Sequence, residues 1–418
     1  MAQAAGHADR RVPFQSYCTG LLLPGERKSV EPMAARLAPD NVRRMHQSLH
    51  HFVADAPWSD EAVLDRALDT VLPAMLGQGP VVAWVVDDTG FPKKGQHSVG
   101  VTRQYCGQMG KQENCRVAVS LSVTTEASSM PVAFQLYLPE VWSEDKIRRR
   151  KAGVPEEVSF RTKPQIALAQ IRQARERGIP ESVILTDAGY GTDTKFRREL
   201  TEMGMPYVVG IMSSVSVWKP QQMPQPAKKW EGKGRPTKLL RRDPDHPPVA
   251  LKELALSLPP EAWKAVAWRQ GVKRKLRSRF AALRVRPAHR DYWRSEPHPE
   301  EWLLMEWPKQ EKEPTKYWFS TLPADTSLMG LIRLAKHRWI IERDYEELKQ
   351  ELGLGHFEGR GWRGFHHHAT LCIAAYGFLV AERNRFSPSA RAGQLALSAT
   401  ALPPGFEPRG RPRRQRTA

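Results

Sequence analysis

Cysteine is scarce: four in 418 residues (Cys18, Cys106, Cys115, Cys372), with no CxxC pair and no zinc-ligand spacing. That excludes a disulfide scaffold and a cysteine-built metal module, and it suits a reducing compartment. Long apolar runs are missing too. The longest, Val81–Val86 and Leu371–Ala381, fall well short of the roughly 18 residues a membrane span needs. The first thirty residues hold no extended apolar segment, so a secretory leader is not expected. Acid is in deficit: Lys+Arg 64 against Asp+Glu 45 leaves a formal charge of +19. With 40% hydrophobic and 26% charged residues the composition is that of a folded globular protein rather than a disordered one. At roughly 150 residues per domain the length suggests two or three domains. An excess of positive charge this large points first to a polyanion, most often nucleic acid.

The excess is concentrated. Between Ile211 and Arg290 there are nineteen Lys/Arg and five Asp/Glu, and the stretch from Ala401 adds five arginines against the single Glu407. The rest of the chain is close to neutral. A basic segment in a neutral framework reads as a binding surface on a scaffold, because solvation alone does not require one sign of charge.

Periodicity divides the chain into five parts. Residues 1–78 read as a helical region, with apolar residues at helical spacing over Asp60–Leu76 and Gly77 and Gly79 as a stop. Residues 79–211 alternate strand and helix. Val81–Val86 is a buried strand emerging into a turn at Asp87-Asp88-Thr89-Gly90, and Val117–Val123 and Val132–Leu138 are further strands. Helix Pro164–Gly178, strand Val183–Leu185, helix Lys195–Met203 and strand Tyr207–Ile211 follow. This order implies an α/β fold, a mixed sheet with helices on its faces. Residues 212–322 read as a basic, partly β insertion: a helix over Leu251–Ala267, then strands Arg279–Arg286, Trp302–Trp307 and Tyr317–Leu322. Residues 323–390 carry a long helix, Ser327–Leu352, and a second, Ala369–Arg383; residues 391–418 form a basic flexible tail.

Three acids stand at informative places. Asp87, with Asp88 beside it, lies at the carboxyl end of one apolar strand and Asp187 at the end of another, where open α/β sheets gather reactive groups. Two such acids on adjacent strands can share a hard divalent cation. On a straight helical wheel drawn from Ile341, the residues Leu334, Ile341, Tyr345, Leu348 and Leu352 fall within about 40° of one line, the buried stripe. Arg338, Lys349 and Glu342 fall at about 60°, 80° and 100°, in one row along its edge. An ordinary i,i+4 ion pair of Arg338 with Glu342 is the competing reading, in the less favourable charge order. A carboxylate flanked by Arg and Lys suits phosphodiester chemistry, the acid holding metal and the cations holding phosphate.

At these residues the chain resembles the DDE-type transposases of bacterial insertion sequences, from about residue 30 to about residue 385. The motifs are Val86-Asp87-Asp88-Thr89-Gly90-Phe91-Pro92-Lys93-Lys94-Gly95, then Leu185-Thr186-Asp187-Ala188-Gly189-Tyr190-Gly191, then Arg338-Trp339-Ile340-Ile341-Glu342 continuing to Tyr345 and Lys349. The third matches the Arg-x3-Glu-x6-Lys pattern of the branch with a β-rich insertion before the last acid. The resemblance implies an RNase H-like fold, a catalytic and metal-binding triad of Asp87, Asp187 and Glu342, and two Mg²⁺ ions with Mn²⁺ as a substitute. Asp87 is taken over Asp88 because relatives more often vary at the second. Arg338 and Lys349 would contact DNA, and Lys273, Arg274, Lys275, Arg277 and Arg279 are the candidate DNA contacts in the insertion.

The implied activity is a metal-dependent endonuclease and strand transferase that binds the terminal inverted repeats of its element, cleaves them and joins the 3′ ends to target DNA. The implied partners are duplex DNA and a second copy of the chain; the implied location is the bacterial cytoplasm, at the nucleoid. The Tyr three residues before the Arg in the pattern is here Ala335, so cleavage is implied but a hairpin step is not. The alternative is a non-catalytic DNA-binding regulator derived from such an enzyme.

Weaker features read blandly. His366-His367-His368 at the start of a helix point in different directions, as structural or phosphate-facing groups do. Gly234-Arg235-Pro236 and Arg409-Gly410-Arg411-Pro412 resemble minor-groove hooks but favour a flexible arm. Trp218, Trp230, Trp263 and Trp268 read mainly as core of the insertion.

Overall fold

The computed structural model describes residues 1–233, 235, 238–242, 244–270 and 275–385. The chain begins with helices α1 (Arg11–Leu22), α2 (Val30–Leu37), α3 (Val42–Ala54) and α4 (Asp60–Leu76). The last of these shows why its sequence is helical. Ser59 caps it by accepting from the Ala62 N–H, Asp60 and Glu61 sit in the positive first turn, and Val63, Ala67, Val71 and Met75 form one buried stripe. Helices α1, α3 and α4 pack on α13 (Trp362–Arg385), with α2 against α1 and α3; α13 is a 24-residue helix buried on most of its circumference, as its apolar sequence requires.

Strands β1 (Ala83–Pro92), β2 (Thr102–Cys106), β3 (Lys111–Thr124) and β4 (Ser129–Leu136) come next. Then follow α5 (Glu140–Ser143), α6 (Lys146–Lys151), α7 (Lys163–Glu176), β5 (Val183–Thr186), α8 (Ala188–Gly191), α9 (Thr194–Glu202) and β6 (Tyr207–Ile211). The basic stretch supplies β7 (Ser216–Trp218), β8 (Val249–Ala250), α10 (Leu251–Leu256), β9 (Lys264–Gln270), β10 (Lys275–Pro287), β11 (Glu301–Trp307) and β12 (Lys316–Ser320). The chain closes with α11 (Leu328–His337), α12 (Ile340–Glu346), a widened turn over Glu347–Glu351, and α13.

The twelve strands form one mixed sheet in the order β2-β3-β1-β5-β6-β12-β11-β10-β7-β8, with β4 on β3 and β9 on β10. Only β1–β5 and β5–β6 pair in parallel; helices flank the sheet, consistent with an RNase H-like fold. The strands of the basic stretch continue this sheet, β12 pairing edge to edge with β6. Side chains alternate between its faces: Trp84 and Val86 pack with Ile166, Ile171 and Phe196 of α7 and α9, while Ala83 and Val85 pack with Leu331, Ile332, Ile340 and Ile341 of α11 and α12.

Four expectations change. The strand expected to end at Val86 runs on through both acids to Pro92, because β3 pairs with it along its whole length, from Ala83↔Thr124 to Pro92↔Cys115. Gly90 makes room there, since a Cβ would meet the Cys106 Sγ at 2.7 Å. The helix expected over Leu251–Ala267 stops at Leu256, and its second half becomes β9 along β10. The last helix starts at Trp362, so the three histidines lie within it and are buried.

The long helix expected over Ser327–Leu352 is interrupted. At Arg338–Trp339 the bonds tighten to i→i−3 (Trp339 N to Lys336 O, Ile341 N to Arg338 O, Glu342 N to Trp339 O), and a widened π-type turn follows at Glu347–Glu351. The straight wheel therefore fails, and the expected row of Arg338, Glu342 and Lys349 is split.

Helix α8 lies against β6 with no space between them. A Cβ on Gly191 would sit 2.1 Å from the Gly210 carbonyl oxygen, and one on Gly210 would sit 2.9 Å from the Ala188 nitrogen. Both neighbours are backbone and cannot swing aside. Gly210→Ala is therefore expected to cost at least about 2–3 kcal/mol, read in denaturant titrations as a lower midpoint with an unchanged slope.

Candidate active site

Asp87 and Asp187 meet through strand register. Val85 pairs with Leu185 in the last rung of the parallel β1–β5 ladder, and Asp87 and Asp187 each lie two residues beyond it, Asp87 still within β1 and Asp187 just past the end of β5, near enough for Asp187 to raise the Asp87 pKa. Both emerge beyond the carboxyl ends of the parallel segment, where such sheets place their chemistry. Asp187 also caps α8, its Oδ1 accepting the Gly189 N–H at 2.9 Å.

Strand alternation separates the two neighbouring acids. Asp87 shares its face with Val85 and looks toward α11 and α12, where Arg338 Nη1 donates to its Oδ2 at 2.6 Å. Asp88 shares its face with Val86 and takes the Lys163 ammonium at 2.7 Å and the Tyr190 hydroxyl at 3.4 Å. This parity, legible as Val85-Val86-Asp87-Asp88, is a signal that sequence reasoning left unused.

Burial pushes the Asp87 carboxyl up to about 7; Arg338 pulls it down, and Asp187 and Asp88 add to the rise. Arg338 is itself pulled both ways: burial disfavours its charge, but Asp87, Asp187 and Glu342 outweigh that and leave its pKa raised. Its guanidinium spans two of the acids, Nη1 on Asp87 and Nη2 at 3.8 Å from Glu342. Arg338 is therefore both the i,i+4 partner of Glu342 and the counterion of Asp87.

The third acid is not assembled with the other two. The Glu342 side chain is 69% exposed, and among the described residues no three of His, Cys, Asp and Glu stand close enough to hold a metal ion. One guanidinium separates it from Asp87. Lys349, in the widened turn, donates to the Gly90 carbonyl at 2.9 Å and to Gln108 Oε1 at 3.0 Å, and burial lowers its pKa to about 8.

Several supporting residues had no role in the sequence reading. Asp344, buried and pushed up to about 6 by that burial, accepts from Ser129 at 2.6 Å and Tyr376 at 2.7 Å, tying α12 to β4 and α13. Trp339, at the helix break, is covered by the Arg269 guanidinium at 3.6 Å from the ring centre. Lys93 and Arg116 both donate to the Phe357 carbonyl, which ties the Phe91–Gly95 motif to the loop before α13.

The histidines are structural. His366 accepts from the Leu136 N–H, His367 stacks on Trp58 and His368 bonds Tyr17, with burial lowering the pKa of each. Of the insertion's candidate contacts, Lys275 and Arg277 are exposed on β10, and Arg279 lies over the Trp307 ring. Lys273, Arg274, Gly234, Pro236 and residues 386–418 lie outside the described residues. Trp218 is fully buried on Asp291, Trp263 and Trp268 pack on Trp307 and Phe280, and Trp230 is exposed.

Two comparisons bear on this geometry. A family model for the DDE superfamily endonuclease matches residues 1–275, a span that includes Asp87 and Asp187 and ends before Arg338. A probable transposase for insertion sequence element IS701, from Microchaete diplosiphon, is 31% identical over 202 residues, 48% of this chain and 49% of that protein. The chain thus matches about half the length of this relative. No helix among the described residues is long and apolar enough to cross a membrane.

The raised Asp87 carboxyl carries a sign. Folding favours its protonated form, so its contribution to stability is present below the ordinary carboxylate range and is lost as pH rises toward 7. Asp87→Asn mimics the protonated form at every pH. In chelator-treated protein its melting temperature relative to the parent is expected to rise from pH 4 to pH 8. The limit is about 4 kcal/mol, reduced because Arg338 loses its partner.

Proposed function

The chain belongs to the DDE superfamily of endonucleases, and from that premise we propose that it is the transposase of an insertion sequence. It binds the terminal inverted repeats of its element as duplex DNA, hydrolyses a phosphodiester bond at each end and joins the freed 3′ hydroxyls to target DNA. Two ends must be handled together, so the working form is a homodimer on DNA. The observation that carries this reading is that Asp87 and Asp187 both lie two residues beyond the last parallel β1–β5 rung, with Arg338 as their shared cation.

The two aspartates offer only oxygen donors, and the Asp187 carboxylate adds to the raised proton affinity of Asp87, as a donor awaiting a cation does. They fit one hard divalent ion, Mg²⁺ with Mn²⁺ as a substitute, held by two carboxylates and water. A second ion would require Glu342 to turn inward, since it stands outside the pair. When bound, the metal supplies activation of the attacking oxygen and neutralises charge on the leaving one.

The chain's own residues do the remainder. Arg338, released from Asp87, presents a planar fork to a phosphate, and Lys349 adds a point charge beyond Gly90. Lys163 keeps Asp88 occupied, so that Asp87 alone faces the reacting side. The alternative, a non-catalytic DNA-binding regulator, draws on the exposure of Glu342. Incubating purified protein with Mg²⁺ and DNA carrying the cognate ends separates the two. Asp187→Ala is expected to lower cleavage at least about 100-fold, the upper end seen even for groups one shell further out, while end-binding persists. Undiminished cutting by that variant would reject the enzyme assignment.

A further inference from the structure

Away from the acids, where α8 and α9 meet the basic stretch, lies an open cavity of about 450 Å³. Its lining includes Arg197, Arg242, His289 and Arg290, with the hydroxyls of Thr192 and Thr194, and among the described residues contains no acidic side chain. Each arginine is held in place. Arg197 is only 4% exposed, fixed by the Gly191 carbonyl and lying over the Phe319 ring. Arg242 donates to Asp291 Oδ1 at 3.1 Å and to the Ala288 carbonyl at 2.7 Å, and lies 5.0 Å from the Tyr292 ring centre. Arg290 lies over Trp293 and takes a left-handed backbone conformation, φ 52°.

The acids behind this wall are turned inward. Asp291 is 1% exposed, and its oxygens already accept from Trp218, Arg242 and the Tyr292 N–H; Glu301 is 6% exposed and is the buried counter-charge to Arg197. His289 senses the result: burial and then Arg290, Arg197 and Arg242 disfavour its proton, opposed only by Asp193. Such a surface, with cations oriented by rings and carbonyls and hydroxyls between them, suits the non-bridging oxygens of a phosphodiester.

Position decides which phosphodiester. Helix α8 is one turn long and starts at Asp187, so Thr192 is roughly 8 Å along the axis from that acid. At about 3.4 Å per phosphate on one strand that is two or three nucleotides. We propose that this seam is a phosphate seat for the DNA strand that enters the acidic site, with Arg197 as its fixed floor and Arg242 and Arg290 as its outer clamps. The proposal rests on the reading of the chain as a DNA-cutting enzyme and adds a strand-positioning surface to it.

The test is equilibrium anisotropy of the full chain, in chelator, with a fluorescein-labelled duplex of mixed sequence at about 50–200 mM NaCl. Each lost phosphate contact lowers the slope of log K against log[salt] by about 0.9, which is roughly eightfold in affinity at 0.1 M. Arg290→Ala, which removes no ion pair among the described residues, is expected to lose one such increment at an unchanged melting temperature. Arg242→Ala/Arg290→Ala is expected to lose two, and Arg66→Ala, on α4, none. Parent and variants with the same steep slope would overturn the seat while leaving the nuclease reading intact. A parent without salt-dependent binding would overturn both. Inorganic phosphate is the remaining arm: if it raises the melting temperature of the parent but not of the double variant while the DNA slopes coincide, the cavity takes free phosphate and the strand proposal fails.

Discussion

A carboxylate that loses its water must find a cation, and around Asp87 that cation is Arg338. Burial, Asp187 and Asp88 all drive Asp87 toward its neutral form, and one guanidinium opposes them. Arg338 can reach Asp87 because the helix carrying it breaks there. The break is held from both sides, by Arg269 against Trp339 and by Ile340 and Ile341 in the core under the sheet. Downstream, Asp344 fixes α12 to β4 and α13. The irregular helix is thus the mechanical support of an electrostatic pair, and a tightened turn followed by a widened one is the kind of segment that changes shape at low cost.

This pair also explains why Glu342 stands outside the acid cluster. With Arg338 engaged at Asp87, the charge of the two strand acids is already partly balanced, and nothing in the local field draws a third carboxylate inward. The same guanidinium keeps Glu342 one side chain away. A divalent cation at the aspartates, as proposed above, would compete directly with Arg338, and its binding would thereby be coupled to release of Arg338 from Asp87 and from its contact with Glu342. That coupling follows from charge balance alone.

Much of this fold was legible because its strands are apolar runs with little competing signal. Tyr207–Ile211 has the same limits in sequence and structure, and Val183–Leu185 differs by one residue. What could not be read was set by partners distant in the chain. Asp, Gly and Pro over residues 87–92 disfavour a strand on propensity, yet β3 pairs with them throughout. The break at Arg338–Trp339 contains no proline or glycine; its contacts are with Asp87 and Arg269, far away in sequence, and a helical wheel presupposes that no such contact intervenes. At the site, Asp87 and Asp187 both lie two residues past the last parallel rung although β1 itself runs on to Pro92, whereas the one-row arrangement of Arg338, Glu342 and Lys349 depended on a straight helix that does not exist.

The basic stretch shows a second limit of reading charge from sequence. A formal count treats each arginine as available to a partner, but Arg242, Arg269, Arg279, Arg284 and Arg290 each lie over an aromatic ring. A stacked guanidinium keeps its charge and its outward N–H edge while losing rotational freedom. Stacking on Tyr292, Trp293, Trp302, Trp307 and Trp339, rings other than the tryptophans that read as core, therefore turns a diffuse electrostatic excess into groups at fixed positions. Because the strands bearing Arg269, Arg279 and Arg284 are hydrogen-bonded into the same sheet as β1 and β5, these arginines are rigidly referenced to the aspartates. A sheet extended in this way can hold phosphates on one side of a reacting bond without a separate domain having to dock.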